Sequence, residues 1–215
     1  MSDTEAPSDL ARIVSVNVGP QRSVEWRGRT VTTGIWKEPV DGPVTVEGVN
    51  LHGDDQADRR VHGGVDKAVY AYAAEDHRWW AEQGVPYEPG HFGENLTTAG
   101  IDLGACRIGD RWQVGTALLE VSQPRSPCFK LGIRMGDDAF PDRFAAAGRP
   151  GTYLRIVGAG SVVAGDTITV EPTHLPAVTV ASLVADEIEL DVLRLTAGDD
   201  RVPTGWRRHA ERALR

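Results

Sequence analysis

Apolar residues in this chain recur in short alternating runs, and glycine or proline cuts each run off after a few positions. Ile13, Val14, Val16 and Val18 make the first run, ended by Gly19-Pro20. Val24 to Trp26 and Thr30 to Thr32 flank Arg27-Gly28-Arg29 as a short hairpin. Val44, Val46 and Val49 resume the period of two, and Ala68 to Tyr72 reads as a buried strand. Arg111 to Val114, Gly115-Thr116 and Ala117 to Val121 form the strongest hairpin signal, with glycine at the first turn position. Thr152 to Val157 and Val162 to Val170, the latter broken at Gly165-Asp166, complete the strands. Helical spacing is confined to Ala74 to Gln83 (capped by Gly84, with Trp79 and Trp80 as core anchors), Phe129 to Arg134 and Ala139 to Ala147. Many short strands with few helices point to a mainly β fold with some α, a closed or nearly closed barrel. After Pro176 the pattern changes. Three apolar faces, on Val180, Leu183 and Val184, on Ile188, Val192 and Leu195, and on Trp206, Ala210 and Ala213, predict a small module of three short helices over residues 176–215.

Charge and cysteine content narrow the function classes. The net charge of -8 argues against sustained binding to duplex nucleic acid, which needs a basic footprint. The arginines of the last segment, Arg201, Arg207, Arg208, Arg212 and Arg215, read as a solvated helical face. No apolar run is long enough to cross a bilayer, and residues 1–9 read as a polar disordered tail without the character of a secretory signal, so a cytoplasmic protein is expected. The two cysteines, Cys106 and Cys128, are too few for a disulfide scaffold or a four-cysteine iron–sulfur cluster. Gly158 to Gly160 is no dinucleotide fingerprint, because Val163 stands where the third glycine belongs.

Three segments carry residues suited to chemistry. In the first, Glu120 to Leu131, a strand breaks at Pro124, and Ser126-Pro127 offers an N-cap and a first helical residue. Cys128 then falls in the first turn, where unpaired N–H groups and the basic Arg125 and Lys130 favour a thiolate. A metal ligand, a nucleophile and a small packed cysteine all fit that position. The second is the loop from His52 to Lys67, whose paired Gly63-Gly64 allows close backbone approach to an anion and equally suits a plain surface turn. In the third, His91 to Thr97, the polar Glu94 and Asn95 stand between the core candidates Phe92 and Leu96. His77, on the first helix, reads as a surface or packing residue.

Taken together and in order, these segments resemble the MOSC family, named for the C-terminal domain of molybdenum cofactor sulfurase. The similarity runs over Gly34-Ile35-Trp36-Lys37-Glu38-Pro39-Val40, Leu51 to Asp58, His62-Gly63-Gly64-Val65-Asp66-Lys67-Ala68-Val69-Tyr70, Phe92-Gly93-Glu94-Asn95-Leu96 and Ser122 to Leu131. The branch it resembles most is that of bacterial proteins linked to reduction of hydroxylaminopurine. The resemblance implies a β-barrel domain over residues 10–172 followed by the three-helix module. It also implies a molybdenum cofactor, in which a pyranopterin dithiolene carries the metal, with Cys128 as metal ligand and catalytic residue and Cys106 as a structural one.

A soft thiolate suits a molybdenum centre already bound by sulfur. On the same reading His62, Gly63, Gly64 and Lys67 cradle the pterin or its phosphate, Asn95 and Arg125 meet its polar edges, and Asp54 or Asp66 orients a basic group or relays a proton. The implied activity is reduction of N-hydroxylated compounds such as N-hydroxylated purine bases. A carrier of the cofactor or of persulfide sulfur is the alternative, and a metal-free thiol enzyme using His62 as base is a third. The expected partners are a small N-hydroxylated substrate, a separate electron-donor protein and a second copy of the chain in a homodimer, with no nucleic acid and no membrane. Cys128→Ser is expected to abolish activity with the fold intact, and Cys106→Ser to leave both nearly unchanged; activity assays beside far-ultraviolet circular dichroism of the two variants check this.

Overall fold

A computed structural model describes residues 10–57, 63–173, 178–185 and 188–215. The expected tail over residues 1–9 and the candidate His62 lie outside the described residues. The chain opens with β1 (Arg12–Val18), the hairpin β2 (Arg22–Trp26) and β3 (Arg29–Thr33), the short β4 (Glu38–Pro39), then β5 (Val44–Glu47) and β6 (Asn50–Leu51). A 3₁₀ turn at Val65–Lys67 leads into β7 (Val69–Ala73), α1 (Ala74–Glu82) and β8 (Leu96–Ala99). The hairpin of β9 (Arg111–Val114) and β10 (Ala117–Pro124) delivers the chain to α2 (Phe129–Met135) and α3 (Phe140–Ala146). β11 (Thr152–Gly158), β12 (Gly160–Val162) and β13 (Ile168–Glu171) follow, and α4 (Val180–Leu183), α5 (Leu190–Gly198) and α6 (Thr204–Ala213) close the chain.

Eight strands form one sheet in the order β13-β9-β10-β11-β7-β8-β1-β4, antiparallel except where β7 and β8 run parallel across α1. Smaller sheets of β12-β5-β6 and β2-β3 flank it. β10 is the longest strand and is paired on both sides, with β9 and with β11. The β9–β10 turn has Gly115 at φ 53, where a side chain would also collide with the Ser161 carbonyl. Along β10, Ala117, Leu119 and Val121 point into the core, while Leu118 and Glu120 are half-buried. Trp112, Val114, Leu119, Val121 and Leu154 are fully buried in one cluster, each large side chain contributing about 1.5–3 kcal/mol on burial. A second, aromatic cluster joins Tyr72, Trp80, Phe92, Phe140 and Phe144 where α1 and α3 meet the sheet. Trp80 is the buried anchor of α1 and Trp79 is only partly covered.

The fold is mixed, with the large sheet and six α-helices among the described residues, and the sheet is not a closed barrel. β1 does reach the β13 edge, but the two meet through a single bridge, Arg12 with Thr167. The turn before β13 occupies the backbone of β1 there: Gly165 N–H donates to Ile13 O and Ile13 N–H to Asp166 O, each at 2.8 Å. β13 itself begins only at Ile168, opposite Ala11, so no ladder propagates. The helices after residue 176 form as the apolar spacing predicts, with Thr179 and Ser182 making a reciprocal capping box on α4. Val180 and Leu183 of α4, and Val202 between α5 and α6, are buried in the same core as the sheet, and Val192, Leu195 and Trp206 pack against it.

Cys106 sits in this core, its thiol donating to the Asp102 carbonyl at 3.4 Å. Burial first, then Asp110 and Asp102, pushes its pKa from the ordinary 9.0 up to about 12. A folded pKa above the unfolded one means that the unfolded chain releases the proton first. The associated stability is therefore complete below pH 9 and lost as pH rises toward 12. Urea unfolding at several values from pH 9 to pH 11 should show wild-type stability falling more steeply than that of Cys106→Ala; parallel decline would contradict the assignment.

Candidate functional site

The buried end of β10 releases the chain through Pro124 into Arg125, Ser126, Pro127 and Cys128. The sequence predicts Ser126 as the helix cap and Cys128 inside the first turn. Instead, α2 starts at Phe129 and Cys128 is the N-cap residue, extended at φ -137 and ψ 171. Its carbonyl accepts the first helical bond, from Leu131 N–H at 2.9 Å, while Ser126 is exposed. The start of α2 is fixed from outside, where Trp26 at the end of β2 packs on Phe129 with ring centroids 4.9 Å apart. The Cys128 side chain is thereby left uncommitted to capping and half-buried.

Cys128 lines a cavity of about 90 Å³ with Lys67, Asn95, Arg125 and Asp54, four of the residues singled out by sequence. Lys37, Tyr70, Lys130 and Tyr153 complete much of the wall. Lys67, at the end of the 3₁₀ turn, lies over the Tyr153 ring at 6.0 Å and faces the Cys128 sulfur electrostatically. Burial lowers its pKa below the ordinary lysine value; Cys128 and then Asp66 act against that. Arg125 is buried, donates to the Phe92 carbonyl and stacks over Tyr70 at 4.8 Å. Burial likewise raises the pKa of Tyr70 and of Tyr153, with Arg125 opposing in both. On the other side of Arg125, which both share, a larger groove of about 510 Å³ runs between α3 and the last helices and is lined by Ser126 and Pro127.

Beneath the cavity lies a buried polar frame. Asp54 pairs with Lys37, the two side chains being 1% and 8% exposed, and also accepts from Gly19 N–H at 3.1 Å. Asn95 donates to Asp54 Oδ2 at 2.9 Å and to Asn17 O at 3.3 Å, and accepts from Tyr70 N–H at 3.1 Å. Every polar atom of its carboxamide is thus used within the protein. Burial pulls Lys37 below the ordinary lysine range, and Asp54 opposes that pull. One layer further in, Glu94 receives Gly90 N–H at 2.6 Å, Phe92 N–H at 3.1 Å and the Thr97 hydroxyl at 3.1 Å, and bonds His77 Nε2 at 2.7 Å. His77 is fully buried, a packing residue of the aromatic cluster and not a surface one.

Other sequence candidates are not brought to the cavity wall. The Asp66 carboxylate is held by Arg155 Nε at 2.6 Å, facing β11. Gly63 and Gly64 do not line the cavity either. Gly64, at φ 89, caps the 3₁₀ turn, and its N–H donates to Gln56 Oε1 at 3.3 Å. Gln56 Nε2 returns to the Lys67 carbonyl at 3.0 Å, so this side chain closes the turn. Sequence reading gave no role to Lys37, Tyr70, Tyr153 or Gln56. Lys37 was legible only as a member of the Gly34 to Val40 segment, and the tyrosines look like ordinary core residues in strands.

Removing one partner of a buried ion pair leaves the other charge uncompensated, at a typical cost of about 3–5 kcal/mol. Asp54→Ala should destabilise the protein on that scale in urea unfolding, and Lys37→Met in the same chain should recover a large part of the loss; no recovery would show that Asp54 acts through Gly19 and Asn95 instead.

The MOSC domain profile matches residues 58–169. The chain is 38% identical over 154 residues to the uncharacterized protein YflK of Bacillus subtilis, covering 71% of this chain and 70% of that protein. It is 37% identical over 148 residues to a protein named Reductase from Gibberella moniliformis, covering 66% of this chain but only 26% of that longer protein. Among solved structures, YiiM from Geobacillus stearothermophilus superposes with a TM-score of 0.77 at 29% identity, over 95% of this chain and all of that one. The matched residues include the Lys67 turn, the Glu94–Asn95 segment and Cys128, and this chain belongs to the MOSC domain family.

Proposed function

We propose that this chain is a molybdenum-cofactor-dependent reductase of N-hydroxylated compounds, drawing electrons from a separate donor protein. MOSC domains are associated with the molybdenum cofactor in general, and one relative carries the name Reductase; both support the reading. The observation that carries it is the setting of Cys128: a thiol free of capping duty, opening on a cavity whose walls include the cations Lys67, Lys130 and Arg125. Among the described residues no three His, Cys, Asp or Glu side chains converge, so Cys128 fits a metal that arrives with its other donors. The donor chemistry matches: a soft sulfur for the metal, and cations for the anionic groups of the pterin. A cavity of about 90 Å³ takes only the reactive end of such a group, since whole-ligand pockets run to several hundred Å³.

When bound, the cofactor supplies acceptance of oxygen from nitrogen and the two-electron change that accompanies it. The net reaction takes R–NHOH, two electrons and two protons to R–NH₂ and water. This chain's own residues then bind, orient and deliver protons. Cys128 Sγ would hold the metal. Lys67 and Lys130 would neutralise negative charge beside it. Arg125 is already committed to Phe92 O and the Tyr70 ring, so it fixes the wall and its field and is not a mobile clamp. For proton delivery the geometry favours Lys37 Nζ, held against Asp54 Oδ1 at the cavity floor, over Asp66, whose carboxylate is turned to Arg155.

Full chain made in a cofactor-competent host tests the proposal. With chemically reduced viologen it should convert an N-hydroxylated purine to the amine over many turnovers, whereas a nicotinamide cofactor alone should give none. Cys128→Ser should lower turnover by at least about a hundredfold, since loss of a mere outer-shell partner of a metal ligand already costs about 10–100-fold. Wild-type turnover in that variant would remove the metal-ligand role. Cofactor handed on to a second enzyme without any reduction would make the chain a carrier.

A further inference from the structure

The reading just given needs Lys67 held against Cys128, yet Lys67 belongs to a three-residue turn with no buried side chain of its own. What fixes that turn lies mostly outside it. Gln56 grips one side, through Gly64 N–H and the Lys67 carbonyl. The other side is gripped at Asp66. Ser122 Oγ donates to the Asp66 carbonyl at 2.6 Å, and Arg155 Nε donates to the Asp66 carboxylate at 2.6 Å. Arg155 is itself over-determined. Its Nη1 donates to Glu120 Oε1 at 2.8 Å and its Nη2 to the Arg201 carbonyl at 2.5 Å, between α5 and α6. The Arg155 side chain is 15% exposed and Asp66 is 40% exposed. A planar guanidinium with three anchored edges is a rigid fork, and lysine cannot reproduce it.

We infer that Arg155, resting on the reading of Cys128 and Lys67 as the site, is a positioning residue: by holding Asp66 it sets the Lys67 ammonium beside the Cys128 sulfur. Asp66, sought from the sequence as a catalytic carboxylate, is then the handle of this turn. The same fork ties the turn to the segment before α6 through the Arg201 carbonyl, and a second tie runs from Trp206 Nε1 to Gln123 Oε1 at 3.0 Å.

The test reads the field at Cys128 without any metal. Full chain carrying Cys106→Ser and made without cofactor is alkylated at Cys128 by anionic iodoacetate and by neutral iodoacetamide at pH 7.5 and low salt, with the site verified by mass spectrometry. The ratio of the two rates cancels the ionisation and general accessibility of the sulfur and keeps the attraction of nearby cations for the anionic reagent. Lys67→Gln should lower this ratio by about threefold, the effect of one nearby charge partly screened by solvent. Arg155→Lys, which keeps the charge but not the fork, should lower it to a similar extent and have no further effect in the Lys67→Gln chain. Asp66→Asn serves if that variant folds poorly: removal of a negative charge alone would raise the ratio, whereas loss of positioning lowers it. An unchanged ratio in Arg155→Lys, a raised one in Asp66→Asn, or an equal drop with and without Lys67 would overturn the inference. Because no molybdenum enters the measurement, its failure is distinct from failure of the reductase reading.

Discussion

The buried contact between Asp54, Lys37 and Asn95 is the constraint on which the arrangement around Cys128 depends. Two opposite charges and a carboxamide leave water together, and each must find its partner inside. They do so by joining segments far apart in sequence. Asp54 reaches Gly19, just after β1; Asn95, just before β8, reaches Asn17 in β1 and Tyr70 in β7; Lys37 comes from the segment before β4. The polar frame therefore fixes the mutual positions of five stretches of chain at one end of the sheet. It also leaves the floor of the cavity charged but balanced, which a neutral core could not provide.

The second determinant is the change of direction at the end of β10. A long strand, laddered on both sides and buried through its last four residues, is stopped by Pro124 and converted into α2 within four residues. The stiffness of the sheet transfers to Arg125, which is buried against Tyr70 and Phe144, and to Cys128 at the helix start. The 3₁₀ turn opposite has little packing of its own and borrows its rigidity from Gln56, Ser122 and Arg155. The site is thus one rigid wall facing one braced wall. A helix of seven residues contributes only a modest dipole at its N-cap, so the cations lining the cavity are the stronger source of positive field around Cys128.

Much of the fold was legible because its signals are local. The β9–β10 hairpin shows itself in Gly115-Thr116, and α1 in its apolar spacing before Gly84. Barrel closure was not legible. It depends on whether β1 meets a strand or a turn at the far edge, and a few hydrogen bonds around Gly165 and Asp166 decide that. In the site, Cys128, Lys67, Asn95, Arg125 and Asp54 were found as members of segments and do line one cavity. Sequence could not say which way a side chain faces. Asp66 and Lys67 are adjacent, yet one turns to Arg155 and the other to the cavity. Lys37 escaped notice because a lysine that will be buried looks in sequence like any exposed one; only its distant partner Asp54 marks it.

Cys128 Sγ is proposed as the protein's bond to molybdenum, and X-ray absorption at the molybdenum edge reads that bond. Wild type and Cys128→Ser are purified from a host that makes the cofactor and compared at equal metal content. Ligation by Cys128 requires one sulfur neighbour more at molybdenum in the wild type than in the variant. An equal sulfur count in the two proteins would rule that ligation out.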